Sequence, residues 1–243
     1  MTSTVLLACG SFNPPTNMHL RLFELARDHL TTKGIQVLGG IISPVNDAYE
    51  KKSLTVKSSH RVNMVNLALQ NYDFVKCSKW EAEQTCWTRT RTALDEYKSQ
   101  IIKAMKSDSQ SYELIPGLSS AADVPRLLLV CGGDLLETFS TPGLWQDEDI
   151  TEIVRNYGLV VISREGSNPE KYVYEHDILH KYKENIHLVT ERVPNDISST
   201  RIRRCIQRGE SIRFLVPDPV IEYIHTNNLY HEVSSKSEND EIK

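Results

Sequence analysis

The sequence predicts an α/β protein: a mostly parallel sheet with helices on both faces, followed by a helical C-terminal segment. Three observations lead to this class. Short apolar runs alternate with longer segments whose apolar residues recur at helical spacing. Strands connected by helical crossovers are typical of a mostly parallel sheet that is covered on both faces. Glycine and polar residues follow several of the runs, as expected where parallel strands end at a binding cleft.

The runs and the periodic segments fix the order of the elements. Strands are predicted at residues 5–9, 36–42, 74–77, 126–131, 159–162 and 186–189. Helices are predicted at residues 18–30, 58–71, 83–106, 135–139, 147–155, 176–183, 199–208 and 219–227. Because helices connect successive strands, parallel crossovers are expected. The carboxyl ends of the strands would then bring one site together from Gly10, Ser43, Pro44, residues 132–134, Ser163 and Arg164.

One domain is expected over residues 1–232. A chain of 243 residues with 40% hydrophobic side chains suits a single globular unit. Residues 107–124 are rich in small, polar and turn-forming side chains and are interpreted as a mobile insertion. Residues 233–243 are polar and are expected to form a flexible tail.

The composition of the chain limits which binding partners and which cellular compartment are expected. The net charge of −4 is not that of a general nucleic-acid binder, and no apolar run is long enough to span a membrane. The five cysteines form no C-x-x-C pair and no zinc spacing, so reduced thiols are expected. A first strand so near the start leaves no room for a cleaved leader. This favours the cytoplasm, while mitochondrial and nuclear locations stay open.

The stretch from Gly10 to His19, Gly-Ser-Phe-Asn-Pro-Pro-Thr-Asn-Met-His, is the most informative in the chain. It joins the first predicted strand to the first helix through a turn rich in glycine and proline. Backbone N–H groups at a helix N-terminus attract anions, and glycine lets a ligand approach the backbone. A histidine there indicates a phosphate site, although such a strand, turn and helix is more often structural.

A second stretch, Asp196 to Arg204, places hydroxyl groups ahead of a basic helix. Ser198 or Ser199 is the expected N-cap. The hydroxyls, the N–H groups and Arg203 could together hold a polyphosphate, because guanidinium binds phosphate through a rigid fork. A capped, solvated basic helix would show the same pattern.

Taken together, the two stretches resemble the motifs of the Rossmann-like nucleotidyltransferase superfamily. The superfamily's [HT]-x-x-H motif corresponds to residues 16–19, and its I-S-S-T-x-[IL]-R motif corresponds to residues 197–203. Within the superfamily the chain is most similar to the eukaryotic nicotinamide mononucleotide adenylyltransferases, from about residue 5 to residue 230. The similarity also includes residues 41–49, 131–136, 144–145 and 223–230.

The resemblance implies direct in-line adenylyl transfer from ATP to nicotinamide mononucleotide, giving NAD and pyrophosphate without a covalent intermediate. Nicotinate mononucleotide is a second expected acceptor, giving deamido-NAD. His19 and Arg203 are implied as catalytic, His19 on the ATP phosphates and Arg203 against the leaving group. Magnesium is expected on substrate phosphates and water, with no protein metal motif. The implied ATP-binding set is Gly10, Ser11, Phe12, Thr16, His19, Thr200, Arg201, Ile202 and Arg203.

The resemblance places the mononucleotide and NAD on a second set. Trp87 and Trp145 would wall the nicotinamide ring, because a pyridinium cation pairs favourably with indole. Thr90 would share a helix face with Trp87, and Asp134 would accept hydrogen bonds from a ribose beside Gly132. Family members commonly self-associate, so a homo-oligomer is expected. The implied set is Ser11, Phe12, Lys51, Trp87, Thr90, Gly132, Asp134, Leu144, Trp145, Arg164 and Asn195.

Two departures and several alternatives accompany this interpretation. Residues 77–82 read C-S-K-W-E-A where the family has V-D-x-W-E-S, which alters hydrogen bonding near the acceptor pocket. Thr16 stands where many superfamily members have histidine, and it carries no charge. A different acceptor (phosphopantetheine, or nicotinate mononucleotide alone) or a cytidylyl donor would keep the same fold. So would a catalytically idle binding or chaperone-like protein.

Overall fold

A single parallel sheet forms the centre of the molecule. The computed structural model describes residues 3–49, 56–106, 114–163, 167–193 and 195–231. Its strands are β1 (Ser3–Gly10), β2 (Gln36–Pro44), β3 (Val75–Cys77), β4 (Arg126–Gly132), β5 (Leu159–Ser163) and β6 (Ile186–Thr190). They lie in the order β3-β2-β1-β4-β5-β6, and every neighbouring pair is parallel. The predicted fold class and all six predicted strands are confirmed.

Helices cover the sheet and continue beyond its last strand. They are α1 (Asn17–Thr32), α2 (Ser58–Ala68), α3 (Thr90–Lys106), α4 (Gly133–Thr138), α5 (Asp147–Glu152), α6 (Pro169–Glu175), α7 (Asp177–Lys181), α8 (Ser199–Gln207) and α9 (Asp218–Thr226). A π-helical turn, Ile153–Tyr157, follows α5. Across the described ranges, the helices fall short of the length and apolarity that crossing a bilayer requires.

Alternate residues of the central strands pack in two different hydrophobic clusters. On β1, Val5 and Leu7 belong to a cluster shared with α3, whereas Leu6 and Ala8 belong to a cluster shared with α1. Coverage on both faces explains the unbroken apolar run of this strand. A third cluster packs α8 and α9 against α2, which brings the C-terminal helices back beside the first half of the sheet.

The helix predicted at residues 83–106 begins only at Thr90. The Asn46 side-chain amide donates to the carbonyl oxygens of Ala82, at 3.1 Å, and of Gln84. These carbonyl groups are therefore satisfied outside a helix. Trp87 precedes α3, so the prediction that one helix face carries both Trp87 and Thr90 is wrong.

Two other helical predictions need correction. The helix α6 was not predicted, although Asn168 accepts from the Lys171 N–H at 3.0 Å and Pro169 occupies the first turn. That pairing of N-cap and proline was a readable start signal. The single helix predicted at 147–155 is divided into α5 and the π-helical turn.

The described half of the predicted insertion is packed on the sheet. Ile115 and Leu118 are buried in the cluster that contains α3, and the Gly117 N–H donates to the Leu38 carbonyl at 3.0 Å. Residues 107–113 and the predicted tail at 233–243 lie outside the described residues.

Candidate functional site

The loop that follows β1 contains a left-handed residue with a large side chain. Phe12 has a φ of 46°, which is uncommon for any residue except glycine. Its ring is 4% exposed and meets the His19 ring edge-on, with the ring centroids 5.2 Å apart. Asn13 after it is also buried. The side chains of Phe12 and Asn13 are therefore packed in the protein interior just before α1 begins.

Thr16 fixes both the position and the tautomer of His19. The Thr16 backbone N–H donates to His19 Nδ1 at 2.9 Å, and the Thr16 hydroxyl lies 2.8 Å from the same nitrogen. Because a backbone N–H can only donate, Nδ1 is an acceptor and the proton of the neutral ring lies on Nε2. The Nε2–H group therefore lies on the side of the ring away from Thr16. A donor in that position could bind a phosphate oxygen.

Two long-range hydrogen bonds join this loop to the start of α8. Arg203 donates to the Asn13 carbonyl at 2.7 Å, and the Ser199 hydroxyl donates to the Pro14 carbonyl at 2.8 Å. The Ser198 hydroxyl caps α8 by accepting from the backbone at 3.3 Å. The two stretches selected from the sequence therefore form one surface, although these contacts span 190 and 185 residues.

The residues at the start of α8 occupy different environments. Arg203 is half-buried, and its second amino group lies 3.3 Å from the Thr200 hydroxyl. Arg201 is exposed and lies 3.6 Å from the Asp196 carboxylate. Ile202 is 1% exposed in the third cluster and its N–H bonds within the helix terminus, so its side chain orients α8 by packing. Arg203 therefore contacts both the loop at residues 10–19 and another residue of α8.

The two tryptophans predicted at the acceptor pocket differ in how firmly they are held. Trp87 is 39% exposed and lies tilted against Tyr49, with ring centroids 6.2 Å apart. Trp145 is half-buried and makes a T-shaped contact with Phe139 at 4.8 Å. The Trp145 indole N–H also donates to the Thr138 hydroxyl at 3.0 Å. The core therefore fixes Trp145, while Trp87 stands at the surface.

Gly132 gives room for the Asp134 carboxylate. A Cβ placed on Gly132 would lie 2.5 Å from Asp134 Oδ1, so the carboxylate folds back across the end of β4. On the neighbouring Gly133, the nearest atom would be 3.6 Å away, an ordinary contact. Of the other residues predicted at the acceptor pocket, Thr90, Leu144 and Asn195 are half-buried, whereas Lys51 and Arg164 lie outside the described residues.

Comparison with known proteins establishes the family. Residues 7–205 match the model of the cytidylyltransferase-like family. The chain is 46% identical to nicotinamide/nicotinic acid mononucleotide adenylyltransferase 1 of Bos taurus, over 98% of this chain and 91% of that protein. The chain belongs to the nicotinamide/nicotinic acid mononucleotide adenylyltransferase family. The Arabidopsis thaliana member is 44% identical, over 96% of this chain and 92% of its own length.

A solved structure agrees with this adenylyltransferase fold. The Plasmodium falciparum nicotinic acid mononucleotide adenylyltransferase complexed with NaAD superposes with a TM-score of 0.62, covering 94% of this chain and 98% of that one. At 18% identity this likeness shows the α/β fold alone. The relatives with higher identity confirm the resemblance seen in the sequence and the nucleotidyltransferase class.

The altered segment of this adenylyltransferase, residues 77–82, contains a buried carboxyl group. Glu81 is 2% exposed and accepts from the Ser43 hydroxyl at 2.8 Å, and Tyr97 donates to Ser43 at 2.8 Å. Burial raises the pKa of Glu81 to about 7, against hydrogen bonds from Ser43 and the Cys9 thiol that lower it. Ser78, in place of the family's Asp, is buried and donates its N–H to the Ile42 carbonyl at 2.9 Å. The Ser78 hydroxyl accepts from the Trp80 N–H at 3.4 Å, so its side chain also takes part in the hydrogen bonding of the segment.

Sequence reasoning missed Arg61, whose side chain is fully buried on α2. It shares one helix face with Met64, Val65 and Ala68, which are the other buried residues of α2. A cation at a position where helical periodicity requires an apolar residue was a usable signal. Such a residue is retained only with hydrogen-bond partners, and those of Arg61 include the loop after β1.

Proposed function

We propose that this protein transfers the adenylyl group of ATP to nicotinamide mononucleotide, giving NAD and pyrophosphate, and that nicotinate mononucleotide is a second acceptor. The observation that carries the proposal is the junction of the loop at residues 10–19 with α8, made by Arg203 and Ser199. It gathers phosphate-binding groups from both ends of the chain at the carboxyl edge of the sheet, where ligands of parallel sheets bind. The names of the relatives include both acceptors.

The proposed reaction is a single displacement at phosphorus. An oxygen of the acceptor's 5′-phosphate bonds to the α-phosphorus of ATP, while the bond from that phosphorus to the bridging oxygen breaks and pyrophosphate leaves with its electron pair. Two anions must meet, so catalysis consists of orientation and charge stabilisation. His19 would donate from Nε2 to the ATP phosphates, and Arg203 would balance the charge on the leaving group.

The acceptor would lie on the other side of the loop. Trp145, fixed by Phe139 and Thr138, would form one wall for the nicotinamide ring, with Trp87 on the solvent side. The Asp134 carboxylate would accept from a ribose hydroxyl. The remaining members of both predicted sets, including Lys51 and Arg164, stay predictions from the resemblance.

Magnesium would enter the site as part of the nucleotide substrate. The backbone N–H and guanidinium groups at the junction bind phosphate oxygens and cannot bind a cation, and the neutral hydroxyl groups there supply no negative charge for one. Among the described residues, no three His, Cys, Asp or Glu side chains lie close enough to hold a metal ion. This donor set fits a magnesium ion held by phosphate oxygens and water, where it would neutralise phosphate charge.

The test is product formation from ATP and magnesium with nicotinamide mononucleotide, nicotinate mononucleotide and phosphopantetheine in parallel. The expected result is NAD and deamido-NAD, each equimolar with pyrophosphate, and no product from phosphopantetheine. A parallel reaction with CTP in place of ATP tests the donor. Product from phosphopantetheine or CTP alone would replace the proposal with a different transferase activity. No product in any reaction, from protein with a cooperative unfolding transition, would support an idle binding protein.

A further inference from the structure

Arg61 is the largest fully buried side chain among the described residues, and its guanidinium joins two loops. Its Nη1 donates to the Ser11 carbonyl at 2.9 Å, in the loop after β1. The other N–H groups hold both ends of the connection between β2 and α2. They donate to the Val45 carbonyl at 2.6 Å, the Val56 carbonyl at 3.2 Å and the Asp47 carboxylate at 3.0 Å.

The positive charge of Arg61 is only partly compensated. Three of its partners are neutral carbonyl groups, and the Asp47 side chain is 47% exposed. Burial lowers the pKa of Arg61, and the hydrogen bond and charge of Asp47 oppose that change. Guanidinium keeps its proton throughout the physiological range. A buried cation therefore acts on the Ser11 carbonyl with little screening by water.

This contact determines where the next backbone N–H points. In a trans peptide, the carbonyl and the following N–H point in opposite directions. Since the Ser11 carbonyl points to the buried Arg61, the Phe12 N–H points away from Arg61. The described part of the chain contains no hydrogen-bond acceptor for this N–H. A cation on the carbonyl also polarises the peptide and strengthens the N–H as a donor.

The strained conformation of Phe12 requires support from two sides. A left-handed φ of 46° on a bulky residue persists only where the surroundings impose it. Packing of the Phe12 ring against the core and His19 holds one side. The hydrogen bond from Arg61 to the Ser11 carbonyl holds the other.

We propose that Arg61 is a positioning residue for phosphate: its buried guanidinium holds the Ser11–Phe12 peptide so that the Phe12 N–H donates to a phosphate of the bound substrates. The identity of those substrates rests on the proposed function. The same guanidinium fixes the β2–α2 connection relative to this peptide, so both move together when Arg61 is altered.

The test compares ligands with and without phosphate. Binding of ATP, nicotinamide mononucleotide, adenosine and nicotinamide riboside is measured by calorimetry for wild type and Arg61→Lys. Lysine keeps the charge but cannot hold four acceptors in the geometry of the guanidinium fork. We expect the two phosphate-bearing ligands to bind about tenfold or more weakly, and the two nucleosides to change less than about twofold.

The control is Arg126→Lys. Arg126 is half-buried and donates to the Tyr157 carbonyl at 2.6 Å, at the amino edge of the sheet. We expect it to leave all four affinities unchanged. A general structural defect in Arg61→Lys would weaken the binding of nucleosides and nucleotides alike. That result would overturn the assignment of Arg61 as a positioning residue. Unchanged affinities in folded Arg61→Lys would do the same.

A second measurement covers a failure of Arg61→Lys to fold. Phenyllactic acid at position 12 replaces the Ser11–Phe12 amide with an ester, which removes the Phe12 N–H and leaves Arg61 in place. The expected result is again a loss of about tenfold for the phosphate-bearing ligands alone. Unchanged binding would overturn the proposal. Wild-type protein that binds all four ligands but forms no dinucleotide would contradict the proposed function, and the ratio of affinities would still decide the role of Arg61.

Discussion

His19 and Glu81 both lie at the carboxyl edge of the sheet, yet their hydrogen bonds place them in different environments. The Thr16 N–H occupies Nδ1 of His19, so the histidine presents a donor to an anion. The Ser43 hydroxyl donates to Glu81 inside the core, where the carboxyl group is 2% exposed. In the proposed reaction the first arrangement would stabilise the charge of the substrate, whereas the second makes protein stability depend on pH.

Replacing His19 by alanine removes the donor held toward the phosphates. We expect His19→Ala to lower kcat at least about 100-fold, which corresponds to about 2.7 kcal/mol of transition-state stabilisation. Steady-state kinetics with ATP and nicotinamide mononucleotide measure the change. His180→Ala, an exposed histidine on α7, is the control and is expected to leave kcat unchanged. Near-normal turnover in folded His19→Ala would remove His19 from the mechanism.

Glu81 makes the folded protein less stable as the pH rises. Its pKa in the folded state, about 7, lies above the ordinary value of 4.5, so between these values the folded state binds more protons than the unfolded state. Stability therefore falls from about pH 4.5 to about pH 7 and then levels off, by on the order of 3 kcal/mol from this group. We expect Glu81→Gln to remove this part of the pH dependence.

Urea unfolding between pH 5 and pH 8 measures that effect. The control is Glu83→Gln in the same segment, whose side chain is 61% exposed and is expected to retain the wild-type slope. Equal slopes for wild type and Glu81→Gln would show that Glu81 is ionised in both states across this range.

At the scale of elements, hydrogen bonds from distant residues set boundaries that local sequence does not. Asn46 satisfies carbonyl groups of the segment before α3 and delays the start of that helix to Thr90. At the start of α4, Gly132 makes space for the carboxylate of Asp134. In both places the position of a side chain predicted at the acceptor pocket, Trp87 or Asp134, depends on where the helix begins.

The adjacent glycines of the β4–α4 turn give a matched pair of variants. Gly132→Ala places a Cβ against the Asp134 carboxylate and must displace it, whereas Gly133→Ala meets only an ordinary contact. We expect Gly132→Ala to raise the KM for nicotinamide mononucleotide about tenfold, the size of one lost hydrogen bond to a charged group. The KM for ATP and all parameters of Gly133→Ala should stay within about twofold. Equal behaviour of the two variants would argue against a role for Asp134.

At the scale of the whole molecule, the two ends of the chain meet at the loop after β1. The Tyr230 hydroxyl donates to Asn13 Oδ1 at 2.7 Å, and Arg203 donates to the carbonyl of the same residue. The third cluster packs α8 and α9 on α2 and so keeps both donors in place. Formation of the proposed phosphate site therefore requires α8 and α9 as well as the N-terminal half of the chain.

Arg203 joins α8 to the loop after β1 through its hydrogen bond to the Asn13 carbonyl. In the proposed reaction it is also a phosphate ligand. We expect Arg203→Ala to lower kcat/KM for ATP about 100-fold, with a much smaller effect on the KM for nicotinamide mononucleotide. The neighbouring Arg204→Ala, at an exposed position, is the control and should behave as wild type. Steady-state kinetics at varied ATP concentration and a fixed concentration of nicotinamide mononucleotide distinguish Arg203→Ala from Arg204→Ala. ATP kinetics unchanged in Arg203→Ala would exclude it from the phosphate site.

The sequence by itself determined the strands, the fold class and the family. The strands β1, β4 and β5 each contain an unbroken apolar run, and such runs need no distant information to be recognised. The motifs at residues 10–19 and 196–204 were likewise readable, because each is contiguous. The start of α6 was also readable from Asn168 and Pro169 but was not used.

The tautomer of His19 is set locally, by the backbone N–H of Thr16 three residues earlier. Tertiary structure alone decided the start of α3 and the contacts of Arg61. Each depends on hydrogen bonds whose partners the local sequence does not specify. Arg61 reaches a carbonyl group 50 residues away, and Arg203 reaches one 190 residues away. Backbone carbonyl groups occur at every position and carry no sequence signature, so only folding shows which of them a buried guanidinium will find.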